Sequence, residues 1–104
     1  MNVQGKIEKF DLVLEKCELL LNSTLKQFSK LFSLSFLNKS SLKRTVTFNI
    51  NPEKVEQYFL EPNERYINSN EKFNLLLYTK NNSKEILEIN AKSIDTSQIY
   101  QFEI

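Results

Sequence analysis

The chain has 104 residues, which is enough for one domain with a single modest core, and 40% apolar and 26% charged residues are ordinary for a folded protein. It has no histidine and one cysteine, Cys17, which excludes a histidine-based catalytic triad, a histidine zinc site and an internal disulfide. The net charge of +1 argues against a strongly basic nucleic-acid binder, and no apolar run approaches the length of a membrane span.

The first half of the chain predicts a strand, a long helix and a second strand. Alternation over Val3–Phe10 indicates a short strand, and Asp11 follows in the position of a helix N-cap. Leu12–Phe32 carries apolar residues at three- and four-residue steps, which predicts a helix. A loop rich in serine is expected over Ser33–Ser41, before the alternating segment Leu42–Ile50, which predicts a half-buried strand.

The second half predicts two strands around a short helix. Pro52 ends the preceding strand, and residues 53–70 are a polar excursion. Glu71–Thr79 is rich in phenylalanine and leucine and predicts a central strand. Residues 84–92 are expected to form a short helix, and the alternation of Ser97–Ile104 predicts a closing strand.

The resulting element order is β-α-β-β-α-β, which is the split βαβ, ferredoxin-like pattern. We therefore predict an α+β sandwich in one domain, residues 1–104, with residues 51–71 as a long hairpin or excursion between the two middle strands.

No motif for catalysis or cofactor binding is present. A single glycine cannot form a phosphate-binding loop, and no metal-ligand spacing occurs. Cys17 lies on an apolar stripe, which is typical of a buried, inert thiol. Asn-x-Ser/Thr matches at Asn22, Asn38 and Asn81 are about as many as chance gives. We predict a protein that is not an enzyme and holds no cofactor or metal.

The charge is distributed unevenly. Residues 1–52 carry eight bases and four acids, whereas residues 53–104 carry six bases and nine acids. No acid occurs from Leu19 to Pro52, and many Ser, Thr and Asn residues accompany the five bases there. Phosphate binding needs clustered basic side chains with hydroxyl or amide groups beside them, so this stretch is a candidate RNA surface. An ordinary solvated face is an equally supported alternative.

Several short segments resemble one family. KIEKFD at residues 6–11, LKRTVTFNINP at 42–52, EKFNL at 71–75 and the closing residues 87–104 are similar, in order and spacing, to segments of the small-subunit ribosomal protein ten family. The match departs from the family where the loop at 33–41 lacks glycine and proline and where residues 53–70 are acidic.

The resemblance implies a structural, rRNA-binding protein in the head of the small subunit of an organellar ribosome. A mitochondrial matrix location is expected, with a plastid-type organelle as the alternative, because the composition favours an AT-rich genome. Small-subunit rRNA and neighbouring head proteins would be the partners, without DNA contact or membrane insertion. The RNA contacts it implies are Lys39, Lys43, Arg44, Asn49, Asn51, Lys54, Lys72 and Lys80.

Two other functions remain open on the sequence. The chain is alternatively a small accessory subunit of another organellar assembly, such as a respiratory complex, without RNA contact. In either case Tyr58, Phe59 and Tyr66 are the expected anchors for protein partners. A weaker alternative is a free regulatory domain that binds a small ligand.

Overall fold

The computed structural model describes residues 9–22, 30–54, 56–80 and 84–103, and these ranges form two antiparallel β-sheets packed face to face. Within them the helical structure is one 3-10 turn, Pro52–Lys54. The strands are β1 Leu12–Asn22, β2 Lys30–Asn38, β3 Arg44–Ile50, β4 Tyr58–Glu61, β5 Glu64–Ile67, β6 Lys72–Thr79, β7 Ile86–Ser93 and β8 Thr96–Glu103.

Each sheet has four strands. The first sheet has the order β1-β2-β6-β4, and the second has the order β5-β3-β7-β8. Consecutive strands β4 and β5 belong to different sheets, so the chain crosses between them at Pro62 and Asn63. One side of the sandwich is therefore closed by a short connection, while β1 and β8 form its other side.

The predicted ferredoxin-like α+β fold is wrong, because strands occupy both segments predicted as helices. In place of the long hairpin predicted between the two middle strands, β4 pairs with β6 and β5 pairs with β3. The excursion thus contributes one edge strand to each sheet.

A β-bulge explains the helix-like spacing at the start of the predicted helix Leu12–Phe32, of which residues 23–29 lie outside the described residues. Glu15 is an extra residue in β1, because Leu14 pairs with Phe36 and Lys16 with Ser35. The inward positions are therefore Leu12, Leu14 and Cys17, at steps of two and then three. A three-residue step is the spacing that a helix also produces.

The predicted loop at Ser33–Ser41 and helix at 84–92 are also wrong, although both segments alternate. Phe32, Leu34 and Phe36 are buried in β2. Leu87, Ile89 and Ala91 are buried in β7, with polar residues between them. The alternation in both segments is the signature of a strand, and the serine content of the first concealed it.

Three predicted strands are confirmed with small shifts of their ends, as β3, β6 and β8. In β3 and β8 the apolar alternation runs without interruption, so the period of two is unambiguous, whereas β6 was recognised from its short run of phenylalanine and leucine. The strand predicted at Val3–Phe10 falls largely outside the described residues.

The core lies between the inner faces of the sheets, and an aromatic cluster joins them. The ring centroid of Phe36 lies 5.5 Å from those of Phe48 and Phe73, and 5.3 Å from that of Tyr100, which meets it edge-on. Phe36 and Phe73 belong to the first sheet, whereas Phe48 and Tyr100 belong to the second. The cluster therefore fixes the separation of the two sheets.

The fully buried side chain of Asn38, at the end of β2, makes a second link between the sheets. Its Nδ2 donates to the carbonyl oxygens of Leu42 at 2.8 Å and Asn68 at 2.9 Å. Its Oδ1 accepts from the backbone N–H of Ser40 at 3.0 Å and from the Ser40 hydroxyl at 2.6 Å. This burial and full bonding are incompatible with a glycan at the Asn38 sequence match.

Phe36→Ala should cost about 3–5 kcal/mol of the free energy of unfolding, because it leaves a cavity where four aromatic rings meet. Phe59→Ala is the matched control, since the Phe59 side chain is exposed, and it should cost about 1 kcal/mol or less. Urea denaturation followed by circular dichroism measures both. Equal losses would contradict the placement of Phe36 in the core.

Asn38→Leu should cost about 4 kcal/mol or more, because four hydrogen bonds of about 1 kcal/mol each are lost and the larger leucine side chain overpacks a fully buried site. Asn74→Leu, on an exposed position of β6, serves as the control and should leave the urea midpoint nearly unchanged. A midpoint for Asn38→Leu equal to that of the wild type would show that the Asn38 bonds do not hold the two sheets together.

Candidate edge-strand binding site

The sandwich has four edge strands, and two of them are too short to receive another chain. β4 and β5 have four residues each and lead directly into the connection at Pro62. Short strands and neighbouring prolines are common means of protecting a sheet edge from further pairing. The longer edges, β1 and β8, lie together on the other side of the sandwich.

β1 is protected in a different way. Its register with β2 shifts between Leu14 and Lys16 and again between Leu19 and Leu21. The exposed side chains of Glu15, Lys16 and Glu18 add charge along it. Bulges and charged residues both disfavour the docking of a further strand.

β8 lacks these protections. It pairs with β7 over its whole length without a register shift, from Ile86↔Glu103 to Ser93↔Thr96. Its sequence, TSQIYQFE, has no lysine, arginine or proline. Among the described residues, β7 is its one hydrogen-bonded neighbour. The outer edge of β8 is thus a straight row of backbone groups of the kind that pairs with an added strand.

The inner side chains along this side of the sandwich are incompletely covered. Tyr100 and Phe102 are half-buried, although the β7 residues opposite them, Ile89 and Leu87, are fully buried. On β1, Leu19 faces inward by its register with Phe32, yet 48% of it is exposed. Apolar surface therefore lies open between β1 and β8.

Tyr100 ties the two edges together. Its hydroxyl donates to the carbonyl oxygen of Leu12 and lies 2.8 Å from Oε1 of Gln98. Burial, with a smaller contribution from the Asp11 carboxylate, raises the pKa of Tyr100 above its ordinary value, so the hydroxyl remains a donor. Burial likewise raises the pKa of the half-buried Cys17 thiol on β1, which keeps it in its unreactive protonated form.

Half of the predicted RNA contacts lie at one end of the sandwich, beside Asn38. Lys39 follows β2, Lys43 precedes β3, and Lys72 begins β6 opposite Leu37. Arg44 begins β3, where its guanidinium lies 5.5 Å from the ring centroid of Phe10 and pairs with Asp95.

The other predicted RNA contacts lie elsewhere. Lys54 and Lys80 are at the opposite end, where both connect to Gln57 through backbone hydrogen bonds. Asn51 is at the same end, where its Oδ1 accepts from the backbone N–H of Glu88 at 3.4 Å. Asn49 is exposed on the outer face of the second sheet. The eight residues thus do not form one surface.

Acids that are distant in sequence neutralise part of this charge. Arg44 pairs with Asp95, and Lys54 pairs with Glu85, which also accepts a hydrogen bond from the Tyr58 hydroxyl. The stretch that is free of acids in the sequence is therefore not free of them in space, which weakens it as a phosphate-binding surface.

The three predicted protein-contact residues separate as well. Tyr58 is buried beneath Glu85. Phe59 is 51% exposed on the outer face of the first sheet, and Tyr66 is 55% exposed on the outer face of the second. Phe59 and Tyr66 therefore cannot belong to one contact patch.

Other kinds of site find no support in the described ranges. No group of three or more cysteine or acidic side chains is arranged to hold a metal ion there. Those ranges also contain no helix with the length and apolarity needed to cross a bilayer.

Comparison with known proteins identifies the fold. No family model and no curated protein matches the chain. Among solved structures it is similar to the periplasmic chaperone SfaE, with a TM-score of 0.61 and 12% sequence identity, over 89% of this chain and 54% of that one. The chain thus spans about half the length of the chaperone. At this identity the likeness shows a shared β-sandwich fold alone.

The sequence contained one overlooked signal for the β8 site. The alternation of the predicted closing strand, Ser97–Ile104, implies that Tyr100 and Phe102 share one face. The centre of this strand also lacks charged residues and proline, which is the sequence signal of an unprotected edge.

Glu85→Gln should reduce the sensitivity of the fold to acid. Hydrogen bonds from Lys54 and Tyr58 lower the pKa of Glu85, so its carboxylate stabilises the fold above its unfolded pKa of about 4.3. That contribution is lost as the pH falls through the lower folded value. Urea midpoints at about pH 7 and pH 3 should differ less in the variant than in the wild type. An unchanged difference between the two midpoints would contradict the Lys54–Glu85–Tyr58 contact. Glu64→Gln, at an exposed position of β5, is the control.

Proposed function

We propose that this chain is a binding module without catalytic activity, and that it takes up an extended segment of a partner protein as an additional strand against β8. The observation that carries this proposal is the combination of an unprotected edge strand with incompletely buried aromatic side chains. The partner would extend the second sheet from four strands to five.

The backbone of β8 supplies the first part of the argument. Eight residues of strand extend about 27 Å at 3.4 Å per residue, and alternate residues direct their N–H and C=O groups outward. Such groups give affinity that does not depend on the sequence of the added strand.

The side chains supply the second part, because they define the chemistry of the occupant. An added strand directs alternate side chains inward, beside Tyr100 and Phe102 and above Leu14 and Leu19 of β1. All four are apolar and incompletely buried. The segment should therefore have apolar residues at every second position, with polar residues between them.

The structural similarity is compatible with this role. SfaE is a periplasmic chaperone. At 12% identity it supports the use of this fold as a protein-binding scaffold and does not identify a partner.

The predicted ribosomal role has less support. The resemblance implied a ferredoxin-like fold, which the sandwich replaces, and the implied RNA contacts are split between two ends with Arg44 and Lys54 paired to acids. The alternative of a small interaction subunit without RNA contact fits the sandwich better. The organellar location stays a prediction.

A pair of peptides tests the β8 proposal. The first has about eight residues and alternates isoleucine with serine or lysine, and the second has the same side chains but carries N-methyl groups at alternate backbone nitrogens. We expect binding of the first and at least about tenfold weaker binding of the second, because methylation removes the backbone donors. Isothermal titration and amide exchange of β8 give the two readouts.

Two matched variants locate the site. Ile99→Lys places a cation in the middle of β8, and Tyr66→Lys does the same on β5, where a side chain of similar exposure lies on the same sheet face. Ile99→Lys should weaken peptide binding and Tyr66→Lys should not. Equal effects would contradict the assignment to β8.

A separate outcome would favour RNA. If the wild-type chain binds small-subunit rRNA, the double variant Lys43→Ala with Arg44→Ala abolishes this binding and neither peptide binds, the proposed role is wrong.

An internal occupant of β8 is a further outcome of the test. If the peptide binds only after residues 1–8 have been removed, those residues themselves occupy the β8 edge.

A further inference from the structure

The outer face of the second sheet carries an open cavity of about 220 Å³, which is named here the amide cavity. Its floor is built by two rows of paired residues. Asn49 of β3 pairs with Asn90 of β7, which in turn pairs with Ile99 of β8. In the next row, Glu88 of β7 pairs with Gln101 of β8. The lining of the amide cavity includes Asn49, Asn51, Pro52, Glu88, Asn90 and Ile99.

The end of β3 gives the amide cavity its wall. β3 stops at Ile50, and Pro52 begins the 3-10 turn that follows. Between them Asn51 stays attached to β7, because its backbone N–H donates to the carbonyl oxygen of Glu88 at 3.2 Å. Proline cannot continue a strand ladder, so the chain turns at this point and Pro52 borders the flat strand surface.

Hydrogen bonds orient the polar side chains of the amide cavity. Oδ1 of Asn90 accepts from the Ser97 hydroxyl at 2.9 Å, and Oε2 of Glu88 accepts from Nε2 of Gln101 at 2.9 Å. These bonds leave Nδ2 of Asn90 and Oε1 of Glu88 without a partner among the described residues. The Asn49 side chain is exposed and likewise bonds to no described residue. The cavity therefore offers both donors and acceptors to a ligand.

The charge of the lining restricts the chemistry of that ligand. Among the described residues that line the amide cavity, Glu88 is the one charged side chain and none is basic. A phosphate or carboxylate ligand is normally held by arginine or lysine, which this lining does not supply. A purely apolar ligand would leave the amides and the carboxylate unpaired, which costs free energy. The lining thus suits a neutral ligand that has many hydrogen-bonding groups.

We propose that the amide cavity binds a neutral sugar unit through its hydroxyl groups. Each hydroxyl both donates and accepts, so neighbouring hydroxyls pair with the amides of Asn49 and Asn90 and with the carboxylate of Glu88. The bond to Glu88 is charge-assisted and therefore the strongest of these. Ile99 and Pro52 provide apolar contacts for the C–H groups of the sugar ring.

The dimensions of the amide cavity suit one sugar ring. Asn49 and Ile99 lie on strands separated by two inter-strand spacings, about 10 Å. The rows of Asn90 and Glu88 are two residues apart along β7, which is about 7 Å. A single ring covers this area, whereas further units of a longer glycan would lie outside the cavity.

The sugar site and the β8 site are separable, although Ile99 belongs to both. The sugar site uses side chains on the outer face of the sheet, whereas an added strand pairs with the outward backbone groups of β8. Substitutions at Asn49 and Asn90 leave the backbone edge of β8 unchanged. Failure of either proposal therefore leaves the other unaffected.

Titration of the full chain with neutral sugars, followed by ¹H–¹⁵N NMR spectra, tests the proposal. The probes are the methyl glycosides of glucose, galactose, mannose and N-acetylglucosamine. At least one of them should shift the amide signals of Asn49, Glu88 and Asn90, with a Kd in the millimolar range that is usual for so small a ligand on an open site. The 6-phosphate of the same sugar should bind more weakly, because the Glu88 carboxylate repels it.

Two results of the titration would overturn the proposal. One is the absence of shifts at these three residues with all four glycosides at concentrations up to about 100 mM, which is well above a millimolar Kd. The other is tighter binding of the sugar phosphate than of the neutral sugar, which would identify an anion site.

Matched variants locate the binding. The double variant Asn49→Ala with Asn90→Ala should weaken binding of the sugar at least about tenfold, because two hydrogen-bonding side chains are removed. Lys92→Ala is the control, since Lys92 is the next outward residue of β7 and lies outside the cavity lining, and it should have no effect. Binding that the double variant leaves unchanged, or that Lys92→Ala weakens equally, would contradict the assignment to the amide cavity.

Discussion

The architecture of this chain depends on one buried amide. The Asn38 side chain ends β2 and makes all four of its hydrogen bonds to segments that connect the first sheet with the second. It bonds the loop before β3 at Ser40 and Leu42, and the turn before β6 at Asn68. A buried amide with unpaired groups would cost several kcal/mol, so a single arrangement of these segments satisfies it. That arrangement aligns the two sheets so that Phe36, Phe48 and Phe73 meet in the core.

The functional surfaces follow from how the sandwich is closed. On one side, the chain passes from β4 to β5 within two residues, which leaves no long edge there. On the other side, β1 and β8 end their sheets, and among the described residues the Tyr100 hydroxyl bonds the Leu12 carbonyl oxygen across them. β1 is protected by bulges and charge, whereas β8 is not. The asymmetry of closure thus leaves one edge available for a further strand.

The charge of the molecule illustrates how sequence distance misleads. Residues 19–52 contain bases and no acid, which favoured a phosphate-binding surface. In the folded chain, Asp95 pairs with Arg44 of this stretch from 51 residues away. Antiparallel pairing brings the acidic second half against the basic first half. The near-zero net charge is therefore a better guide to the surface than the charge of either half.

The strands with uninterrupted alternation were predictable from the sequence. β3 and β8 were recognised because a period of two has no competing interpretation when it is unbroken, and β6 was recognised because a short run of phenylalanine and leucine is typical of a central strand. β1 was not, because the bulge at Glu15 converts its inward spacing to a step of three. β2 and β7 were missed although they alternate, because serine content and short length outweighed the period in their interpretation.

The sequence by itself excluded histidine chemistry and an internal disulfide, and it determined three of the eight strands that the described residues form. The tertiary structure alone decided which strands are edges, which apolar residues remain uncovered and which bases are neutralised. These properties depend on contacts between residues that are far apart in the chain. No local pattern encodes such contacts, because strand order and register are set by packing and hydrogen bonding across the whole sandwich.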